Sequence, residues 1–182
     1  MFYFQATDDI QLRVLELKNA KELYGLIDDN RLFLREWLPW VGSTTGVEVI
    51  KQFIKSSKKQ MAENNGFQAG IYYKGEIAGC IGLHSIDWSN KKTTIGYWLA
   101  SDFQGKGIMT QSCKAIVNYV IKDLGLNRVE IRAAELNSKS RAIAQRLGFT
   151  QEGICKQVEW LYDHYVDHVI YAMLSEEWKN QQ

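Results

Sequence analysis

The chain has 182 residues, 46% of them hydrophobic, and 22 Lys and Arg against 21 Asp and Glu leave a formal net charge of +1. A length of this order suits a single domain, here 1–182, that buries about two-thirds of its extended-chain surface without disulfide or metal staples. The balanced charge supplies no field to draw the protein onto nucleic acid or an anionic membrane, so direct contact with either is not expected. Cys80, Cys113 and Cys155 are odd in number and widely spaced, which argues against a disulfide framework and against a zinc site. Met1 to Asp9 carries acids rather than a basic-then-apolar leader, and no apolar run approaches the roughly 18 residues of a membrane span. The expectation is a soluble, cytoplasmic protein with no metal.

No repeat or low-complexity tract interrupts the pattern. Ile10, Leu12 and Val14 alternate along a first strand over Ile10 to Leu17. Asn19 is placed to cap a helix through Leu23, Leu26 and Ile27, ending near Asn30. A loop with Phe33, Trp37 and Trp40 around Pro39 follows. Thr45 and Glu48 have capping-box spacing at the head of a second helix carrying Ile50, Phe53 and Ile54. Lys55, Lys58 and Lys59 give that helix a basic, solvated face. Phe67 to Tyr73, the Lys74-Gly75 turn and Glu76 to His84 read as a hairpin, and Thr93 to Ala100 as a third strand of the meander.

The best-formed helix follows. Met109, Cys113, Ile116, Val117, Val120, Ile121 and Leu124 recur at helical spacing, and Gly125 takes the C′ position. Val129, Ile131 and Ala133 alternate in another strand. Asn137 or Ser138 caps a short helix that ends at Leu147-Gly148. Strands around Ile154 to Trp160 and Val166 to Leu174 complete the chain. A meander followed by a short helix between late strands implies an α+β fold rather than a doubly wound one.

Gln104-Gly105-Lys106-Gly107-Ile108-Met109-Thr110 lies between a strand end and the start of that long helix. Two glycines let the backbone turn tightly, and the free N–H groups of a helix start, aided by its dipole, favour an anion such as a pyrophosphate. The Walker pattern is absent. The dinucleotide fingerprint fails as well, because Thr110 stands where its third glycine belongs. Asn137 and Ser140, seven residues before Leu147-Gly148-Phe149, are explained locally as a helix cap and its first turn.

Taken together, these segments resemble the acetyl-CoA-binding core of the GNAT acetyltransferases. Leu34-Arg35-Glu36-Trp37-Leu38-Pro39-Trp40, Ile95-Gly96-Tyr97-Trp98-Leu99, Glu152-Gly153 and Tyr162-Asp163-His164-Tyr165-Val166-Asp167 resemble the branch of the ribosomal-protein N-terminal acetyltransferases, the RimL-like enzymes. The resemblance implies a mixed, mostly antiparallel sheet with helices on both faces, splayed between its fourth strand, Thr93 to Ala100, and its fifth, Arg128 to Glu135. It implies acetyl-CoA as co-substrate, with pantetheine along Trp98, Leu99 and Ala100. The pyrophosphate belongs on Gln104, Gly105, Lys106, Gly107, Ile108, Met109 and Thr110, with Asn137 nearby.

The implied reaction is direct attack of an amine on the thioester, with Ser140 protonating the leaving thiolate. Trp37, Trp40 and Tyr97 are expected to line the acceptor side. Thr94 departs from the pattern: relatives commonly carry a glutamate there as general base, and threonine cannot ionise. Glu135, Glu159 and His84 stand as substitutes, alongside an amine that needs no base. The acceptor implied is the N-terminus of a protein, a ribosomal one included. A small amine is the alternative, as is a weakly catalytic acyl-CoA-binding module. Homodimer formation through Gly153 to Leu174 is expected from the same branch.

Overall fold

A computed structural model describes residues 3–181. Strands β1 (Tyr3–Gln5) and β2 (Ile10–Val14) lead through a 3-10 turn to helices α1 (Ala20–Asp29) and α2 (Arg31–Arg35). A second 3-10 turn, Pro39–Ser43, precedes α3 (Val47–Ala62). The meander β3 (Phe67–Tyr73), β4 (Glu76–Asp87) and β5 (Lys92–Leu99) leads to α4 (Ile108–Asn118). Then follow β6 (Arg128–Ala134), α5 (Ser138–Arg146), β7 (Thr150–Leu161), β8 (His164–Leu174) and α6 (Ser175–Asn180).

The eight strands form one sheet in the order β1-β2-β3-β4-β5-β6-β8-β7. Every adjacent pair is antiparallel except β5 and β6. That parallel pair runs only from Lys92 opposite Arg128 to Ile95 opposite Ile131. Beyond it β5 continues against β4 as far as Leu99, and β6 continues against β8 as far as Ala134. The two arms therefore diverge, as the resemblance implies. The diverging strands are fifth and sixth in the chain because β1 precedes them.

The alternation of apolar residues dictates which face meets which helix. Ile95, Val129, Ile131, Tyr171 and Met173 pack with Cys113, Ile116 and Val117 of α4 and with Ala144 of α5. On the opposite face Leu15, Tyr72, Ile77 and Cys80 pack against Leu23, Ile27, Ile50 and Ile54 of α1 and α3. Neighbours along β5 are split accordingly: Tyr97 and Leu99 join the α4–α5 side, Trp98 the α1–α3 side.

Several local expectations are corrected. Asn19 does not cap α1 with its side chain; its amide oxygen accepts the Glu16 N–H one turn earlier. No capping box forms at Thr45 and Glu48, because Gly46 is the cap residue of α3 and Glu48 pairs with Lys51 at 2.6 Å. The long helix widens to a π turn at Tyr119–Asp123, where Leu124 N–H reaches Tyr119 C=O at 3.1 Å, before Gly125 at φ +66°. Asn137 does cap α5, accepting the Ser140 N–H at 3.1 Å.

Candidate active site

Where β5 leaves β6, Gly96 to Leu99 lose their neighbour on that side. A cleft of about 870 Å³ opens there. Its walls are Tyr97, Trp98 and Leu99 of β5, Phe103 to Gly105 and Gly107 to Gln111, Leu136 to Ser140 with Ile143 and Arg146 of α5, and Phe33, Leu34 and Glu36 to Leu38 around α2. Unpaired backbone along one wall suits a ligand that itself carries amides, since buried N–H and C=O groups need partners.

At one end of the cleft Gly105 and Gly107 adopt φ +73° and +72°, left-handed values that bulky residues seldom take. Gly107 is the cap residue of α4 and makes no side-chain cap, so the N–H groups of the first helical turn have no partner inside the helix. A Cβ at either glycine would meet nothing within 4 Å; here conformation, not crowding, requires glycine. Gln104 sits beside them, its Oε1 taking a hydrogen bond from Lys139 Nζ at 3.0 Å.

At the other end the arms are bridged. Tyr97 Oη donates to the Ser140 carbonyl at 3.1 Å and accepts from Ser140 Oγ at 3.2 Å. Burial, then the neighbouring Cys113 and Tyr171, push the Tyr97 phenol well above its ordinary range, so it stays protonated. Arg141 fixes α5 behind Ser140, donating to Tyr171 Oη at 2.9 Å and to the Glu135 carbonyl at 2.9 Å.

Of the expected donor-binding residues, Trp98, Leu99, Gln104, Gly105, Gly107, Ile108, Met109, Thr110 and Asn137 line this cleft. Ala100 and Lys106 do not: Ala100 is buried with its N–H bonded to Ala78 C=O at 2.9 Å, and Lys106 Nζ lies over the Phe103 and Tyr73 rings. Trp37 and Tyr97 line the cleft, and Trp40 stands at its edge with its ring 5.9 Å from Trp98.

The base candidates sit elsewhere. His84 covers Gly96, where a Cβ would collide with the imidazole, and burial lowers its pKa so that the neutral ring is favoured. Glu159 and His168 are hydrogen-bonded at 3.2 Å between β7 and β8. His168 pairs with Ala134 on the open arm of β6 and alternates with the core residues Val169 and Tyr171. Its side chain therefore projects on the α1–α3 side, the side of Trp98. Glu135 lies in the connection to α5 with its N–H bonded to Asp167 C=O. Thr94 faces Glu130 across the parallel pair, and Arg132 and Arg128 already hold that carboxylate.

Sequence reasoning missed Leu136, Lys139 and Arg146 of the α5 wall. They lie beside Asn137 and along α5, and they line the cleft that the divergence of the strands opens.

Among the described residues no cluster of three or more His, Cys, Asp or Glu could hold a metal, and no helix is long and apolar enough to cross a membrane.

The split sheet thus holds a cleft with a glycine-rich helix start at one end and a hydroxyl pair at the other. The sequence profile of the acetyltransferase (GNAT) domain matches residues 9–150. The chain belongs to the GNAT family of N-acetyltransferases, enzymes that use acetyl-CoA. It is 37% identical to a Bacillus subtilis (strain 168) protein named putative ribosomal N-acetyltransferase YdaF, over all of both chains. Among solved structures it is similar to RimL, a ribosomal L7/L12 alpha-N-protein acetyltransferase, in complex with coenzyme A. The TM-score is 0.93 at 28% identity, covering 97% of this chain and 99% of that one. The microcin C7 self-immunity acetyltransferase MccE, in complex with acetyl-CoA and AMP, matches with TM-score 0.90 at 34% identity, covering 94% and 95%.

Proposed function

We propose that this protein transfers the acetyl group of acetyl-CoA to the N-terminal α-amine of a protein, a ribosomal protein in the first instance, by direct attack of the amine on the thioester. The observation that carries the reading is the unpaired Gly96–Leu99 edge, bounded by the Gln104–Thr110 loop and by the Tyr97–Ser140 pair. The pantetheine amides take the backbone partners that β6 gives up, and the pyrophosphate takes the N–H groups at the head of α4. The amine enters from the side of Trp37, Trp40 and Trp98. A backbone N–H of β5 stabilises the tetrahedral oxyanion.

As the C–S bond breaks, the Ser140 hydroxyl turns from Tyr97 Oη to the departing thiolate, gives it a proton and takes one back from water. Tyr97, held neutral by burial, orients that hydroxyl. The proton lost by the amine goes to water, directly or by way of Glu159, the first of the candidate carboxylates to test because its hydrogen bond to His168 holds it in place. The similarity to RimL and YdaF supports the ribosomal acceptor. Direct attack needs no thiol: burial pushes Cys80 up to about 12 and raises Cys113 as well, so neither is a ready nucleophile.

A small amine attached to a planar group is the second reading, favoured by the Trp40–Trp98 pair at the entrance and by the likeness to MccE. Thiol release from acetyl-CoA, followed with ribosomal-protein N-terminal peptides, polyamines and aminoacyl nucleotides, separates the readings. Release with none of them would leave an acyl-CoA-binding module. Exposed Ile154, Val158, Trp160 and Tyr165 on the β7–β8 ribbon support self-association, which light scattering at micromolar concentration tests.

A further inference from the structure

We propose that Tyr162 is a positioning residue that fastens the acceptor-side wall of the cleft to the tip of the β7–β8 ribbon. This rests on the reading of the Trp37–Trp40 side as the acceptor entrance. Tyr162 is the first residue of the two-residue connection between Leu161 and His164, which are paired. Its φ is +59°, in a region that turns of this length normally give to glycine or asparagine. A hairpin selected for its turn alone has no use for a tyrosine there. The ring is engaged elsewhere.

Tyr162 Oη donates to the Leu38 carbonyl at 2.6 Å and accepts the Gly42 N–H at 3.2 Å. One phenol thus spans both ends of the Pro39–Ser43 turn, more than a hundred residues away in sequence. The Arg35 guanidinium lies 4.1 Å over its ring. Gly42 leaves room for it: a Cβ at that position would come within 2.9 Å of the ring edge.

The segment held in this way carries Trp37 and Leu38, which line the cleft, and Trp40, which meets Trp98. Its far side is secured independently. Arg31 donates to Val41 C=O at 2.7 Å and to Thr44 C=O at 2.8 Å. Loss of the phenol therefore frees one side of the wall without dismantling the turn. Tyr162 touches no reacting atom in this scheme. It acts through where Trp37 and Trp40 stand, and so on acceptor capture rather than on the donor site.

Two variants test this in the full-length protein. Tyr162→Phe keeps the ring and removes both hydrogen bonds; Tyr162→Gly also removes the ring while suiting the backbone. Hydrogen exchange over residues 38–44 is measured first, with Gly42 as the reporting amide, because it needs no acceptor. Calorimetry then gives the coenzyme A Kd. Steady-state kinetics follow with a synthetic peptide bearing a free N-terminal serine and with spermidine. Tyr162→Phe is expected to speed exchange at Gly42. It should raise the acceptor KM about 3–10-fold, the scale of one ordinary hydrogen bond, with kcat and the coenzyme A Kd within about twofold. Tyr162→Gly should do the same more strongly. Unchanged exchange at 38–44 in both variants overturns the fastening. Faster exchange with an unchanged acceptor KM overturns its role in capture, as does a coenzyme A Kd that rises in step with KM. Wild-type protein that acetylates neither acceptor would count against the proposed reaction instead, and the exchange result would still decide whether Tyr162 holds the wall.

Discussion

Ser140 and Glu159 are the proposed proton donor and acceptor, and each is tested by a substitution that nearly keeps its shape. Ser140→Ala is expected to lower kcat by about 10²-fold, the lower end for a positioned proton donor because a thiolate leaves readily, with little change in coenzyme A affinity. Glu159→Gln should lower the rate near neutral pH. The activity that remains should climb with pH as the acceptor α-amine, with a pKa of about 7.7–8.0, deprotonates unaided. A pH–rate profile of wild type, Ser140→Ala, Glu159→Gln and His84→Asn on one peptide separates the roles. An unaltered profile in Glu159→Gln beside a collapsed one in His84→Asn would move the base to His84. Glu130 matters to stability rather than to proton transfer. Burial opposes its ionisation, but Arg132 and Arg128 outweigh that and hold its pKa below the ordinary value. A lowered carboxylate pKa stabilises above the unfolded value of about 4.3 and loses that contribution as pH falls through the folded one. Glu130→Gln should therefore lower the melting temperature at pH 7, and the gap from wild type should close on acidification below about pH 4.

At the scale of elements, the join of β5, loop and α4 predicts the clearest phenotype. Gly107→Asp asks an L-residue to adopt φ +72° and sets a carboxylate where the proposed reaction places the pyrophosphate. Calorimetry should then detect no coenzyme A binding in a variant whose circular dichroism is unchanged. This join was legible in the sequence because both of its signals are local: helical spacing from Met109 to Leu124, and glycines immediately before it. The meander, the Lys74-Gly75 turn and the Asn137 cap were legible for the same reason. The caps of α1 and α3 were misread. Asn19 serves the preceding turn and Gly46 replaces Thr45, choices that depend on how the chain enters from β2 and from the Pro39–Ser43 turn. β1, α2 and α6 are too short to display a period. The cleft's composition was legible only through likeness to a family, because Ser140 and Tyr97 are forty-three residues apart and nothing local joins them.

For the molecule as a whole, the two arms share one short seam, Lys92–Ile95 against Arg128–Ile131, and a ligand in the cleft touches both. Coenzyme A at about a hundred times its Kd should stabilise the fold by about 2.7 kcal/mol. For a chain of this size that is a rise in melting temperature of about 5–10 °C, readable by differential scanning fluorimetry. Hydrogen exchange along Gly96–Leu99 should slow with it at the amides that face the split, since those gain partners. Among the described residues the same sheet ends at β7, with no strand paired on its outer side. An open edge bearing Trp160 and Val158 is a template onto which foreign strands can add. The two breaks in register along β7, between Gln151 and Gly153 and between Cys155 and Glu159, with Gln157 at φ +49°, deny an incoming strand any long run of matched hydrogen bonds. These irregularities act as a guard against runaway polymerisation. Deleting Lys156 and Gln157, the two residues by which β7 exceeds β8 between the Cys155–His168 and Glu159–Val166 pairs, should make the protein aggregate with concentration, first seen as turbidity well below its melting temperature.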